Sequence, residues 1–281
     1  HFTSETIPAI AIVTATGAIE RPLSFADNDK PGVILASAVR DYLIGYGVSL
    51  GDRTVVVTNN DDAYLTAIAV KNVGLDVPAI IDVRQGGAGE LGEKVRALGI
   101  RVKTGKGIAK VVGGKRVTGI QICAQAGEGT VLEDIACDCV AMSGGWSPVV
   151  HLWSHCGGKL LWDTENVMFR PDLDKAPTGH DGTDFVSVVG AANGHLTQRA
   201  ALKDSTDQTA AVIGLANPPQ PPSTVVREDA LIEAVWIMPE GADVKLRSKA
   251  WLDFQNDVKV SDVQLAAQEG FESVEHAKRY T

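Results

Sequence analysis

Five short runs in this sequence are apolar without alternation: Ala9 to Gly17, Thr54 to Val57, Val77 to Val83, Cys139 to Ser143 and Val186 to Gly190. A strand reads this way when both of its faces are covered, which is the situation in a parallel sheet roofed by crossover helices. Segments of helical spacing lie between several of them. Val33, Leu35, Val39, Tyr42 and Leu43 mark a helix over 33–46, and Leu65, Ile68, Ala69 and Val73 mark one over 63–73. A further helix over 89–98 leads to a short strand over 100–103. The alternation predicts an α/β fold built from βαβ units. From Ile108 to Ile135 the pattern changes to meandering strands with a Gly113-Gly114 hairpin turn. A helix of roughly two dozen residues is expected after Ala191-Ala-Asn-Gly194.

Asn217-Pro-Pro-Gln-Pro-Pro222 cannot continue a helix and reads as a linker. The polar tail beyond it is mainly helical, with Ser261 and Gln264 spaced as a capping box and Ser273 placed as an N-cap. A net charge of −9, with no basic cluster, argues against nucleic-acid binding. No apolar stretch approaches the ~20 residues of a membrane helix, and residues 1–8 do not read as a signal peptide. The four cysteines form no CxxC and no zinc-type cluster, so a cytoplasmic protein with reduced thiols is the expectation.

Four landmarks occur in an order that resembles the flavoprotein reductases with two dinucleotide-binding domains. They are a strand ending Ala15-Thr16-Gly17, an inserted βαβ domain, a strand leading to Gly145-x-x-Pro148, and a strand ending at Gly190. More detailed wording is similar to the α subunit of heterotetrameric sarcosine oxidase. The segments are Ala15–Pro22, Val55–Tyr64, Ser143–Val150, Val189–Gly194, Leu252–Val258 and Glu269–Thr281. The resemblance implies two nested FAD/NAD-linked reductase-like domains, the first incomplete, plus a small helical C-terminal domain. The boundaries read this way are 1–50 for part of the first domain, 51–136 for the inserted one, 137–222 for the return and linker, and 223–281 for the tail.

The same resemblance implies a flavin amine oxidase that converts sarcosine to glycine and hydrogen peroxide, passing the methyl carbon to formaldehyde or tetrahydrofolate. Its α subunit would carry NAD, with FAD and FMN mainly on the β subunit or the α–β interface, and with β, γ and δ subunits as partners. Such subunits have their dinucleotide fingerprint upstream and a folate-binding domain downstream, so these 281 residues alone are expected to hold no cofactor tightly. They are expected to act as scaffold and subunit interface, and to associate with another chain. The alternatives are the α subunit of a dye-linked proline, hydroxyproline or opine dehydrogenase, or a non-catalytic assembly module.

The walls of the first nucleotide site would be Thr16, Gly17, Gly190, Ala191, Ala192 and Asn193, although isolated glycines of this kind are often turn chemistry alone. Flavin-binding relatives usually place Asp where this chain has Ala191. In the inserted domain, Thr58-Asn-Asn-Asp-Asp-Ala63 stands where a dinucleotide binder needs glycines, which suggests a structural domain. Asp62 reads there as a helix cap, and Arg84 as a solvated charge at a strand end. Asp253 and Gln255 occupy positions where cousins carry cluster-binding cysteines, so the tail is expected to fold without iron or zinc. Trp251, Phe254 and Phe271 read as its core. His151, His155 and Cys156 lack a further ligand at matched spacing. Cys137 and Cys139 alternate along a strand and should point the same way.

Overall fold

A computed structural model describes Ala9 and residues 11–224 and 231–281. Two compact units emerge, and the chain passes between them three times. The first unit opens with β1 (Ile12–Thr14) and β2 (Ala18–Glu20). The second takes over from Glu20 to Gly145. It contains β3 (Val33–Leu35), α1 (Ala36–Tyr46), β4 (Thr54–Thr58), α2 (Asp62–Asn72), β5 (Ala79–Asp82), α3 (Gly89–Ala97) and β6 (Arg101–Thr104). The meander β7 (Lys106–Val112), β8 (Gly119–Ala124) and β9 (Glu133–Ala136) follows, then β10 (Cys139–Ser143).

The core of the second unit is a five-stranded parallel sheet in the order β3-β10-β4-β5-β6. Val55, Val57, Ile81, Val140 and Met142 point to one side, where they meet Ile108, Ile120 and Ile122 of the antiparallel meander. Val56, Ile80 and Ala141 point to the other, against Val39 of α1, Tyr64 and Ala67 of α2 and Val95 of α3. Every residue of β4, β5 and β10 is buried, which is why these strands carry no alternation in the sequence.

This pairing corrects the domain boundaries expected at 51 and 137. Cys139–Ser143 does not return the chain to the first unit; it lies between β3 and β4 in the middle of the second. Val33–Leu35 is an edge strand of the same sheet rather than the start of a helix. All buried parallel strands look alike locally, so pairing partners are not written in any one of them.

The chain then returns to the first unit with β11 (Trp146–Pro148), α4 (His151–His155), β12 (Leu160–Asp163), β13 (Met168–Pro171), β14 (Val186–Val188) and α5 (Gln198–Val212). Here β1 runs parallel to β14, β2 pairs with β11, and β12 with β13. Trp153, Val186, Val188 and Ala192 form the buried centre. Helix α5, at 15 residues, is shorter than the length expected. Thr197 caps its start, accepting from the Ala200 amide at 3.3 Å, and the preceding Gly190–Asn193 is a separate 3-10 turn.

The tail belongs to the second unit and is not detached from it. Its elements are α6 (Val244–Arg247), β15 (Trp251–Asp253), β16 (Val258–Lys259), α7 (Val260–Gln268) and α8 (Val274–Tyr280). Asn28 stitches it down: its amide donates to the Leu23 and Trp251 carbonyls while its oxygen accepts from the Trp251 amide. Ser273 caps α8 as expected, accepting from the His276 amide at 3.2 Å. At α7 the capping carboxylate is Asp262, which accepts from the Lys259 amide, so the Ser261–Gln264 box does not form. Phe254 is 43% exposed and Trp251 only half-buried beneath the Lys259 ammonium, so these two rings are not a core. Asp253 accepts from the Gln255 and Asn256 amides, closing the loop between β15 and β16.

Candidate functional site

In the first unit the parallel register of β1 and β14 brings two strand ends side by side. The Val189 amide donates to the Thr14 carbonyl, and the two loops that follow are those of Thr16-Gly17 and Gly190–Asn193. Gly17 has φ +75°, and among the described residues nothing lies within 4 Å of the position a Cβ would take. Thr16 is tied back, its hydroxyl donating to the Val149 carbonyl at 2.7 Å. Gly190 also needs a left-handed backbone, at φ +67°, with Ser205 close by.

One residue in this loop system was not foreseen. Asp204, on α5, accepts from the Gly190 amide at 2.7 Å and from the Asn193 side chain at 3.2 Å, and lies 3.4 Å from His195 Nε2. The carboxylate absent at Ala191 is therefore supplied to the same loop from a helix fourteen residues downstream of Gly190. It acts on the loop's own amide. Only the i, i+14 separation linked it to Gly190 in the sequence, and no short motif marks that. Ala192 is buried against Trp153, and Ala191 is half-buried.

In the second unit, ligands of such sheets bind in the crevice beyond the carboxyl ends of the strands. Beyond the ends of β10, β4 and β5 the turn after β4 lines that crevice with side chains. Asn59, Asn60 and Asp61 are 2–3% exposed. Asn60 donates to the Ser143 hydroxyl at 2.9 Å and its oxygen accepts from the Asp62 amide, so Asn60 holds the start of α2 and Asp62 instead pairs with Arg40 at 2.8 Å. Arg84 is not solvated. It is 5% exposed, with Asp61 at 2.7 Å and Asp82 at 2.8 Å, and the Tyr64 hydroxyl donates to the same Asp82 oxygen at 2.7 Å. Burial works to lower the Arg84 pKa, but the hydrogen bonds and charges of Asp82 and Asp61 outweigh it and hold the guanidinium firmly charged. Burial beside Asp82 pushes the Tyr64 phenol well above its ordinary range.

Glu20 lies at the same end of the sheet, 4% exposed, accepting from the Ser37 amide and hydroxyl. Burial raises its pKa above the usual 4.5. A carboxyl with a raised folded pKa helps the fold at low pH, and that contribution is lost as pH rises from the ordinary value through the raised one. Glu20→Gln is therefore expected to raise the melting temperature at pH 7, with the gain shrinking toward about pH 4. Parallel thermal melts across that window check it; a gain that stays constant with pH contradicts it.

No group of His, Cys, Asp and Glu able to hold a metal is found among the described residues. His151 and His155, at the two ends of α4, and Cys156, just past it, are exposed, with Trp153 turned inward. Cys137 and Cys139 face opposite sides of the sheet, Cys137 toward the meander and Cys139 toward the helices, because the bend at Asp138 breaks the alternation. Burial pushes the Cys123 and Cys139 thiols up to about 11 and Cys137 up to about 12. In the native protein a disulfide reagent near pH 8 is expected to titrate Cys156 alone, and all four thiols after denaturation.

A parallel sheet with a meander on one face and helices on the other, in a unit that interrupts the first unit in sequence, is a fold shared with FAD/NAD-linked oxidoreductases. It is similar to L-proline dehydrogenase from P. horikoshii (TM-score 0.57, 18% identity, 96% of this chain and 48% of that one). Thioredoxin reductase from T. acidophilum shares it (TM-score 0.54, 17% identity, 73% and 64%). Residues 247–281 match the family described as the sarcosine oxidase A3 domain. Over 95% of its length the chain is 36% identical to the sarcosine oxidase subunit alpha of Rhizobium meliloti (strain 1021), and over 98% it is 38% identical to that of Corynebacterium sp. (strain P-1). It covers 25% and 28% of those proteins. In sequence this chain is similar, nearly from end to end, to about a quarter of a sarcosine oxidase α subunit. No described helix is long and apolar enough to cross a membrane.

Proposed function

We propose that this chain serves as the nucleotide-domain scaffold and a subunit-facing part of a sarcosine oxidase-type complex, which oxidises sarcosine to glycine and hydrogen peroxide. The observation that carries this reading is the end-to-end identity of 36–38% with named α subunits, together with the A3 match. In the complete protein NAD is the nucleotide of the first unit, with Thr16, Gly17, Gly190, Ala191, Ala192 and Asn193 along its wall. Two features support that placement: the uncrowded backbone at Gly17 and the side-by-side ends of β1 and β14. Asp204 positions the Gly190 loop rather than touching the nucleotide. FAD and FMN belong mainly to the β subunit or its contact with α, and β, γ and δ subunits are the partners, within the cytoplasm.

On this reading the described residues up to Ile19, with 146–224, are the domain of that site, and the tail from Leu231 completes the other unit. Fold likeness across 96% of the chain to L-proline dehydrogenase is what favours a second reading, a dehydrogenase acting on proline or a related amine. Assaying the complete enzyme with sarcosine and with proline, alongside release of bound nucleotide for mass spectrometry, separates them. Peroxide formation with sarcosine and NAD in the released pool is the expected result. Turnover of proline with an artificial dye, and none of sarcosine, overturns it.

A further inference from the structure

The crevice of the second unit has an occupant from its own chain. Beyond the proline-rich linker, Leu231 and Glu233 lie against the residues that follow β5 and β4, and the chain continues to Glu240 along Ser24 and Gln125. The Asn59 side chain donates to the Glu233 carbonyl at 2.7 Å, and the Glu233 amide donates back to the Asn59 carbonyl at 3.4 Å. Arg84, already holding Asp61 and Asp82, donates to the Leu231 carbonyl at 3.4 Å. Further along, the Met238 amide donates to the Ser24 carbonyl at 2.8 Å, Gln125 donates to the Ile237 carbonyl, and the Glu240 amide to Gln125. Met238 is fully buried in the same cluster as Val57, Ile81 and Val140, and Val235 packs against that cluster.

These contacts have the logic of peptide recognition. Main-chain carbonyls and amides of the segment are read by polar groups, and buried apolar side chains anchor it. The groups that read it, Asn59 and Arg84, are the ones that in a dinucleotide domain would be a glycine and a charge facing the ligand. An anion here would meet Asp61 and Asp82, and its backbone approach is closed by Asn59 and Asn60.

We propose that this crevice is a peptide-holding groove in cis, occupied by Leu231–Glu240 of the same chain, and that it accepts no dinucleotide. The inserted unit has thus exchanged a soluble ligand for a covalently attached one. The inference is independent of where NAD sits in the first unit.

Hydrogen exchange on the full chain tests it, with and without millimolar NAD or ADP-ribose. In the unmodified protein the Glu233, Met238 and Glu240 amides are expected to be protected, and neither nucleotide should alter exchange at Thr58–Asp62 or at Glu233. Asn59→Ala, which removes the reading side chain, is expected to speed exchange at Glu233 at least tenfold while Met238 stays protected. Rapid exchange at Glu233 in the unmodified protein, or release of Glu233 on adding either nucleotide, overturns the proposal. The second outcome would make the segment a displaceable cover over a working nucleotide site. The unmodified protein alone suffices to decide if the variant does not fold. A change confined to the Gly190 loop would speak only to the first-unit reading.

Discussion

Arg84→Met is expected to lower the stability of the second unit by about 3–5 kcal/mol, the range for removing one partner of a buried ion pair. The guanidinium is 6% exposed at its side chain and stands between two carboxylates that are 3% and 0% exposed. Its removal takes the guanidinium charge away from both, while the Tyr64 hydroxyl donates to Asp82. For a chain of this size, about 2–4 °C per kcal/mol implies a melting temperature lower by roughly 10 °C. Arg84→Lys keeps the charge but not the fork, and is expected to fall between the two. Thermal melts of the three proteins check the order. A variant with methionine that melts like the parent would mean that Asp61 and Asp82 are not held by Arg84.

Trp153→Ala is the second large effect, and it should strike the other unit. The indole is 2% exposed, its N–H donates to the Lys159 carbonyl at 2.8 Å, and it packs with Val186, Val188 and Ala192. Deleting a buried ring of this size costs about 3–5 kcal/mol. Because Ala192 lies within the Gly190–Asn193 turn, the cavity opens directly behind the proposed nucleotide wall. Faster exchange at β1 and β14, with β4, β5 and β10 unchanged, is the expected signature. Trp153→Phe retains most of the apolar contact and should lose about 1 kcal/mol, the worth of one hydrogen bond.

Much of the fold was legible because burial leaves a local mark. Val55–Val57, Ile80–Ile81 and Val140–Met142 are apolar on both faces for the reason the sequence suggested, and the helices between them keep one stripe inward. What was illegible is what depends on distant partners. Nothing in Cys139–Ser143 says that its neighbours are Val33–Leu35 and Thr54–Thr58, so the boundary between units was misplaced. Arg84 read as solvated because a lone arginine at a strand end usually is; Asp61 and Asp82 cover it only once the turn after β4 folds back over β5. In the candidate site, glycines announced the loops, whereas Asp204 lay hidden in an ordinary polar helix face. The turn after Val57 was legible as one without glycines, and its Asn59, Asn60 and Asp61 side chains are buried.

The reciprocal bonds between Asn28 and Trp251 join residues 223 positions apart in the chain. On a ribosome that adds about 5–20 residues per second, Trp251 follows Asn28 by roughly ten to forty-five seconds. Once β10 has been made, about midway through that interval, the five-stranded sheet can form while the surface under the tail still waits uncovered, with Phe25 and Ala26 lacking Met238 and Ala250. The other unit receives its last strand and helix within that same wait. Nascent chains of this protein therefore pass through a stage in which the later-starting sheet is assembled but unsealed.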